Sequence, residues 1–191
     1  MLLTLVQNEI SKALRSKLPY FGLCATALIS FMTYIVAQHD SAGVINGWGY
    51  VGLSMMLVFT DIGLIFVIVF AAMLMADETR SGTIRAVLAG PLLRWELYVA
   101  KAVTGMLYML VLSLIILLIS IGLGALRLDF GPVGDDYGEV YSRAVVAGNF
   151  LFAWFLSWIP LGTTVLYGLL VSVLTRSPGA AVAVGIGTVY I

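Results

Sequence analysis

Asp61 is the only acidic residue inside a long apolar run of this sequence. It lies about 15 residues before the cytoplasmic end of its run, which places it in the outer third of a membrane helix. A carboxylate at that depth is unfavourable unless it faces water, protein or a partner, so Asp61 is a candidate for cargo contact or proton movement. The other interpretation is that the helix begins later and that Thr60 and Asp61 start it at the outer interface.

Side chains suited to catalysis by this chain alone are missing from the sequence. Cys24 has no second thiol, and His39 has no second metal ligand near it in sequence. No nucleophile has a base or a metal ligand at a useful spacing. The G-x-x-x-x-G-K-[ST] phosphate loop is also absent, so the sequence predicts a protein that is not an enzyme and has no metal or cofactor of its own.

A short polar segment between two apolar runs carries the most information about function. Gly82 permits a sharp turn, and Thr83 is suited to accept a hydrogen bond from a free N–H at a helix start. Gly90 followed by Pro91 is a typical helix end. The segment therefore predicts a two-turn helix at about residues 83–90.

One face of that predicted helix is apolar, because Ile84, Val87 and Leu88 follow the i, i+3, i+4 spacing while Arg85 points elsewhere. A short capped helix with an apolar knob and flanking cations suits a groove on a cytoplasmic partner. The same helix would also suit the surface of lipid headgroups. Physical chemistry alone leaves both interpretations open.

Apolar runs surround this segment on both sides and place it at a membrane. The 191 residues are 61% hydrophobic and 10% charged, with a mean hydropathy of +1.06, which is more apolar side chain than a soluble domain buries. The fold class predicted is an all-α polytopic transmembrane bundle (residues 18–191) behind an amphipathic interfacial helix (1–17). The expected spans are about 18–38, 53–76, 98–126, 145–175 and an incomplete 178–191, five of six.

Basic residues set the orientation, because loops rich in Lys and Arg stay on the cytoplasmic side. Eight fall on one side of the predicted spans: Lys12, Arg15, Lys17, Arg80, Arg85, Arg94, Lys101 and Arg176. Only Arg127 and Arg143 fall on the other. The sequence predicts a cytoplasmic amino terminus in a multi-pass protein of the cell membrane. A net charge of zero gives no reason to expect a nucleic-acid partner.

The first seventeen residues form an amphipathic pattern, with Leu3, Val6, Ile10 and Leu14 at helical spacing. This pattern predicts a helix lying in the lipid interface, its apolar face in the acyl boundary. A plain extension of the first span is the alternative.

Aromatic and small residues mark the later runs. Phe150, Trp154 and Trp158 recur every four residues, which is typical of an aromatic belt and also suits a surface on which cargo stacks. Pro160 predicts a kink in the fourth run. Gly179, Ala183 and Gly187 form a small-xxx-small row, which predicts close helix packing in the fifth apolar run.

The polar segment resembles the permease subunit of type-2 ABC exporters. That family shows an acidic residue ending the second span, a Gly-Thr pair opening a short helix, a late Leu, then Pro, a basic residue and a Lys entering the third span. The matching residues are Glu78, Gly82, Thr83, Leu88, Pro91, Arg94 and Lys101. The resemblance covers nearly the whole chain, but the last span and the re-entrant external helices of the family are absent from it.

The resemblance implies a coupling helix that receives the closing stroke of a separate ATPase subunit, which binds ATP and Mg. Residues implied in this coupling are Glu78, Gly82, Thr83, Ile84, Arg85, Val87, Leu88, Pro91, Arg94 and Lys101. A second permease copy or a paralogue would complete the cargo path. Two other functions stay open: an ion- or proton-coupled carrier built on Asp61, and a non-transporting immunity or scaffold protein in the membrane.

Overall fold

The structure is a computed structural model that describes residues 2–39, 45–81, 94–134, 140–175 and 177–189, with backbone alone for 77–81, 94 and 189. Almost all of the described residues are helical. The helices are α1 (Leu2–Arg15), α2 (Leu18–Gln38), α3 (Gly47–Met56), α4 (Ile62–Ser81), α5 (Arg94–Arg127), α6 (Arg143–Leu156), α7 (Trp158–Thr175) and α8 (Pro178–Val189). A π-helical turn, Leu57–Asp61, joins α3 to α4.

Four helical stretches are long and apolar enough to cross a membrane. They are Leu18–Gln38, Gly47–Ala76, Trp95–Arg127 and Arg143–Thr175, and α8 is a shorter apolar helix. This architecture confirms the predicted all-α polytopic bundle. The sequence did not predict the antiparallel pair of two-residue strands, β1 (Val133–Gly134) and β2 (Val140–Tyr141).

The second stretch begins at Gly47, earlier than the predicted residue 53, because Asn46 caps it. The Asn46 side chain accepts a hydrogen bond of 2.7 Å from the backbone N–H of Gly49. The N–H of Gly47 donates to the carbonyl oxygen of Asp129 at 2.8 Å. Two of the free donors at this helix start are thus satisfied within the chain.

The fourth stretch is interrupted between α6 and α7 at Ser157. Pro160 has no N–H to donate to the carbonyl of Leu156, so the hydrogen-bond ladder breaks where the sequence predicted a kink. The Ser157 hydroxyl donates to the carbonyl oxygen of Trp154 at 2.6 Å and the Thr164 hydroxyl to that of Pro160 at 2.9 Å. These two side-chain hydrogen bonds give a donor to one backbone carbonyl before the break and to one after it.

The π turn keeps one row of buried side chains along α3 and α4. Tyr50, Ser54 and Val58 are buried at intervals of four residues, and the row continues with Gly63 and Val67. The interval from Val58 to Gly63 is five. A regular α-helix would rotate the second half of the row away from the first, and the wider π turn compensates for the additional residue.

The described residues group into two compact units. The first comprises Met1–Gly22, Leu64–Val111 and Pro160–Ile191. Its helices pack closely through small residues: Gly168 lies against Ala71, and the Ser172 hydroxyl donates to the carbonyl oxygen of Ala72. A cluster of small side chains with Ala181 completes this core.

The second unit comprises Leu23–Gly63 and Leu112–Ile159. Tyr50 is fully buried at its centre, and its hydroxyl lies 2.9 Å from the hydroxyl of Ser30, which lies 3.1 Å from that of Ser120. Tyr34 packs edge-on against the Tyr50 ring. Hydrogen-bonded hydroxyls thus join three membrane helices in the core of this unit.

Candidate functional site

A buried ion pair joins the amino-terminal helix to the third long helix. The Glu9 Oε2 atom lies 2.7 Å from Lys101 Nζ. Glu9 is 3% exposed and Lys101 is 1% exposed, so water does not screen the two charges. Both residues belong to the first compact unit. The sequence predicted Lys101 as a coupling residue, whereas Glu9 was not among the predicted site residues.

The same ammonium group also bonds to the second long helix. Lys101 Nζ donates to the backbone carbonyl oxygen of Leu74 at 2.6 Å. The other carboxylate oxygen of Glu9, Oε1, accepts from Lys12 Nζ at 2.6 Å, and Lys12 is a largely exposed residue of α1. One cluster of polar atoms therefore connects α1, α4 and α5, and its buried charges are paired and hydrogen-bonded as burial requires.

Helix geometry explains why Glu9 is enclosed although α1 is polar. On a helical wheel Glu9 lies between Leu5 and Ala13, four residues away on either side, and both of these are half-buried. Leu3 and Leu14 belong to a different face and are 79% and 59% exposed. The helix therefore has a face toward the bundle in addition to the apolar face that the sequence predicted.

A small cavity of about 140 Å³ lies beside the ion pair. Its walls include both charged residues together with Phe70, Met73 and Leu74 of α4. The cavity is mostly apolar with the ion pair at one side.

Most residues implied in coupling by the resemblance lie outside the described residues. These are Gly82, Thr83, Ile84, Arg85, Val87, Leu88 and Pro91. Glu78 and Arg94 are described by their backbone alone, within α4 and α5. The described helices end at Ser81 and begin at Arg94 on either side of this segment. Lys101 is the one member whose side chain is described, and it points into the chain.

Asp61 does not cap a helix start. It is the last residue of the π turn, in the middle of the 30-residue helical stretch Gly47–Ala76. This position corrects the interpretation that Thr60 and Asp61 start the helix, because the helix starts at Gly47. Asp61 is half-buried, and the Thr60 hydroxyl donates to its Oδ2 atom at 3.0 Å. π turns occur often at functional sites.

The two tryptophans predicted near the cargo path pack against each other. Trp154 and Trp158 have ring centroids 4.8 Å apart in an edge-on arrangement. Trp154 Nε1 donates to the carbonyl oxygen of Ser113 at 3.2 Å, a hydrogen bond that connects α6 to α5. Trp158 Nε1 is enclosed and has no hydrogen-bond partner among the described residues. Both aromatic side chains thus contribute to packing within the second unit.

A second cavity, of about 410 Å³, was not predicted from the sequence. Trp48 and Phe150 stack in its wall with centroids 5.4 Å apart, and Asn46 and Asn149 also line it. The Trp48 indole N–H donates to the Gly131 carbonyl at 3.2 Å. The Asn46-Gly47 pair, a helix start signal, could have predicted that Trp48 lies in a first helical turn.

The predicted small-residue row of α8 is on an open face. No atom of the described residues lies within 4 Å of a Cβ placed at Gly179 or Gly187, and Ala183 is exposed. Close packing occurs instead at Ala181, which is fully buried, and at Gly185, which lies against Ile68. Within the described residues the packed face is therefore the one with Ala181 and Gly185, and since two small-residue rows run along this helix the sequence does not distinguish them.

Comparison with known proteins gives one family. A family model described as "ABC-2 family transporter protein" matches residues 5–191, nearly the whole chain. No curated protein matches the sequence.

Proposed function

Because the chain belongs to the ABC-2 family of transporter proteins, we propose that it is the permease subunit of an ATP-driven exporter. The family is a membrane component without a nucleotide-binding domain of its own. Hydrolysis would therefore occur in a separate ATPase subunit that binds ATP and Mg. A second copy of this chain, or a paralogue, would face it across the cargo path in the cell membrane.

The observation that carries the coupling proposal is the cluster of Glu9, Lys101 and the Leu74 carbonyl. In this cluster Lys101 of α5 donates to the Leu74 carbonyl oxygen of α4 at 2.6 Å and to Glu9 of α1 at 2.7 Å, and α4 and α5 are the two helices that flank residues 82–93. A force applied to the intervening segment would therefore move both helices together, because separating them breaks the hydrogen bond between the buried Lys101 ammonium and α4. Rigid movement of packed helices is the usual way in which such a stroke is transmitted.

The orientation belongs to this proposal. Eight basic residues on one side of the spans support an amino terminus in the cytoplasm, where the ATPase would be. Coupling would use a helix at about 83–90, whose apolar residues Ile84, Val87 and Leu88 would enter a groove of the ATPase. Glu78, Arg85 and Arg94 would flank that helix.

Asp61, Trp154 and Trp158 remain proposals for the cargo path. The half-buried carboxylate of Asp61 in a π turn supports a polar contact at mid-helix.

The proposal is tested by reconstitution with the ATPase. The protein would be expressed with ATPases encoded beside it, purified as a complex and placed in vesicles, and ATP-driven release of cargo would be measured. Leu88→Asp puts a charge on the proposed docking face and should abolish transport. Ala86→Asp is the matched control, because Ala86 lies on the opposite side of the predicted helix.

Two results would contradict the proposal. One is purification without any ATPase under conditions that keep membrane complexes intact. The other is equal transport by the Leu88→Asp and Ala86→Asp variants when both reach the membrane in equal amounts.

A second candidate function is an ion- or proton-coupled carrier, which the position of Asp61 favours. A carboxylate in the middle of a membrane helix is a typical element of proton relays. Such a carrier would transport cargo in vesicles that contain this chain alone, driven by an ion gradient. Transport lost on Asp61→Asn and unaffected by ATP would favour this function over the first.

A further inference from the structure

We infer that the cavity of about 410 Å³ in the second compact unit binds a quaternary ammonium group, such as that of choline. Three aromatic side chains from three elements line this cavity: Trp48 of α3, Tyr141 of β2 and Phe150 of α6. The described lining residues all belong to the second unit. The inference concerns binding alone, so it does not depend on export by this chain.

Two of the three rings are held in place by contacts within the protein. The Trp48 indole N–H donates to the Gly131 carbonyl oxygen at 3.2 Å, and its ring packs edge-on against Phe130 with centroids 5.0 Å apart. The Phe150 ring stacks on Trp48 and lies 3.5 Å from the position of a Cβ on Gly52. A ligand therefore meets an aromatic wall that is already formed, which lowers the entropy cost of binding.

The strand pair explains why Tyr141 reaches the same cavity. Val133 of β1 and Tyr141 of β2 are directly opposite partners in the antiparallel register. Opposite partners have their side chains on the same face of a sheet, and both of these side chains line the cavity. Tyr141 is 40% exposed, so part of its surface is accessible to a ligand.

The chemistry of these walls favours a cation that has no N–H group. The faces of aromatic rings are negative and attract cations, and the attraction is strongest where water is displaced. A primary ammonium group needs hydrogen-bond acceptors, whereas the Oδ1 atom of Asn46 already accepts from the N–H of Gly49. A quaternary ammonium needs no acceptor, because methyl groups surround its charge and present an apolar surface to the rings.

The charge of the surrounding sequence also favours a cation. None of the described residues that line the cavity is charged, so an anion would find no cationic partner among them. The connection between α5 and α6, residues 128–142, supplies Val133 and Tyr141 and contains four acids without a base. Arg127 and Arg143 at its two ends leave this stretch net negative. A negative potential concentrates cations near the cavity.

The experiment measures choline binding to the protein in lipid discs of phosphatidylethanolamine and phosphatidylglycerol, which contain no quaternary ammonium group. Saturation-transfer NMR on the methyl protons of choline reports binding, and discs without protein give the background. The matched probe is dimethylbutanol, in which a neutral tert-butyl group replaces the trimethylammonium group. We expect choline to bind about fivefold more tightly than this alcohol, because the two probes share their shape and differ in charge.

Tyr141→Leu is the decisive variant, because Tyr141 is partly exposed on a strand and its replacement should leave the stack of Trp48 on Phe150 in place. It should weaken choline binding about fivefold, and Tyr141→Phe, which keeps the ring, should retain it. Trp48→Leu should weaken binding further. Phe152→Leu is the matched control, since Phe152 is an aromatic residue of α6 that is 70% exposed and does not line the cavity.

A second arm of the experiment distinguishes two sources of the same group. A fifth of the disc lipid is replaced with phosphatidylcholine, and the binding of free choline is measured again. Phosphatidylcholine should displace choline if the cavity takes a lipid headgroup. Choline binding should stay unchanged if the cavity takes a dissolved molecule.

Three results overturn the inference. The first is choline binding no stronger than that of discs without protein. The second is equal affinity for choline and dimethylbutanol, which would leave an apolar cavity without preference for charge. The third is equal choline affinity in the Tyr141→Leu and Phe152→Leu variants when both have the unfolding temperature of the unchanged protein.

Discussion

Glu9 and Lys101 are 92 positions apart in the chain, and their charged groups lie 2.7 Å from each other in its interior. The pair contains one residue of an amphipathic surface helix and one of a membrane helix. Its burial makes it sensitive to the loss of either partner and tolerant of the loss of both.

Loss of one partner of this pair is the first prediction. Glu9→Gln or Lys101→Met should each lower the free energy of unfolding by about 1.5–3 kcal/mol, because each change removes a hydrogen bond between two buried, charged groups. The double variant should recover most of that loss. Unfolding in detergent, followed by tryptophan fluorescence, measures all three.

Lys12→Met supplies the control for this prediction. Its side chain is 58% exposed, so its pair with Glu9 should contribute no more than about 1 kcal/mol. A loss as large as that of Lys101→Met would contradict the assignment of the buried partner.

Gly168 and Gly162 of α7 give the second prediction. A Cβ at Gly168 would lie 2.8 Å from the Ala71 Cβ and 3.3 Å from the Ile68 carbonyl, so Gly168→Ala should push α7 away from α4 and destabilise the protein by about 1–3 kcal/mol. In the part of the chain that the structure describes, no atom lies within 4 Å of a Cβ at Gly162. Gly162→Ala should therefore be neutral or stabilising by up to about 1 kcal/mol. The unfolding temperatures of the two variants should shift in opposite directions, or the unfolding temperature of Gly168→Ala should fall clearly further.

Gly63 supports the π turn, and its substitution is the third prediction. A Cβ at Gly63 would collide with the carbonyl group of Val58, five residues earlier. Gly63→Ala should disrupt the turn and reduce stability by about 1–3 kcal/mol. Gly148→Ala in α6, where a Cβ meets nothing within 4 Å, serves as the control. Equal unfolding temperatures for the two variants would show that the turn tolerates a side chain.

The hydroxyl of Tyr50 is the subject of the fourth prediction. It lies 2.9 Å from the Ser30 hydroxyl and donates to the Ser30 carbonyl at 3.1 Å. Tyr50→Phe keeps the ring and removes both contacts, which should cost about 0.5–1.5 kcal/mol inside the membrane. Tyr20→Phe removes one exposed bond and should cost less. A larger loss of stability for Tyr20→Phe than for Tyr50→Phe would mean that the buried hydroxyl network contributes little to the free energy of unfolding.

Hydropathy and charge placement predicted the membrane bundle, because the length of an apolar run can be read from each segment without knowing its contacts with other segments. The cap at Asn46 was within reach of the same reasoning, and overlooking it left open the interpretation that a helix starts at Asp61. The kink at Pro160 followed directly from its missing N–H.

Glu9 could not be identified as a site residue in the same way. Its role depends on a contact with Lys101, and neither residue's immediate neighbours in sequence predict it. The buried face of α1 was missed for a related reason: amphipathic spacing distinguishes polar from apolar faces, but it does not distinguish lipid from protein as the apolar partner. The packed face of α8 was ambiguous because small residues line two of its sides.

The π turn has a consequence for how the gene can change. Since it accommodates one residue more than an α-helical turn, deleting a single codon between Val58 and Gly63 would leave a regular helix in which these two residues are four positions apart and the buried row keeps its face. Tyr50 would then keep its position beside Ser30. Relatives that lack the turn are expected to be one residue shorter between Val58 and Gly63, and to have residues larger than glycine at the equivalent of Gly63.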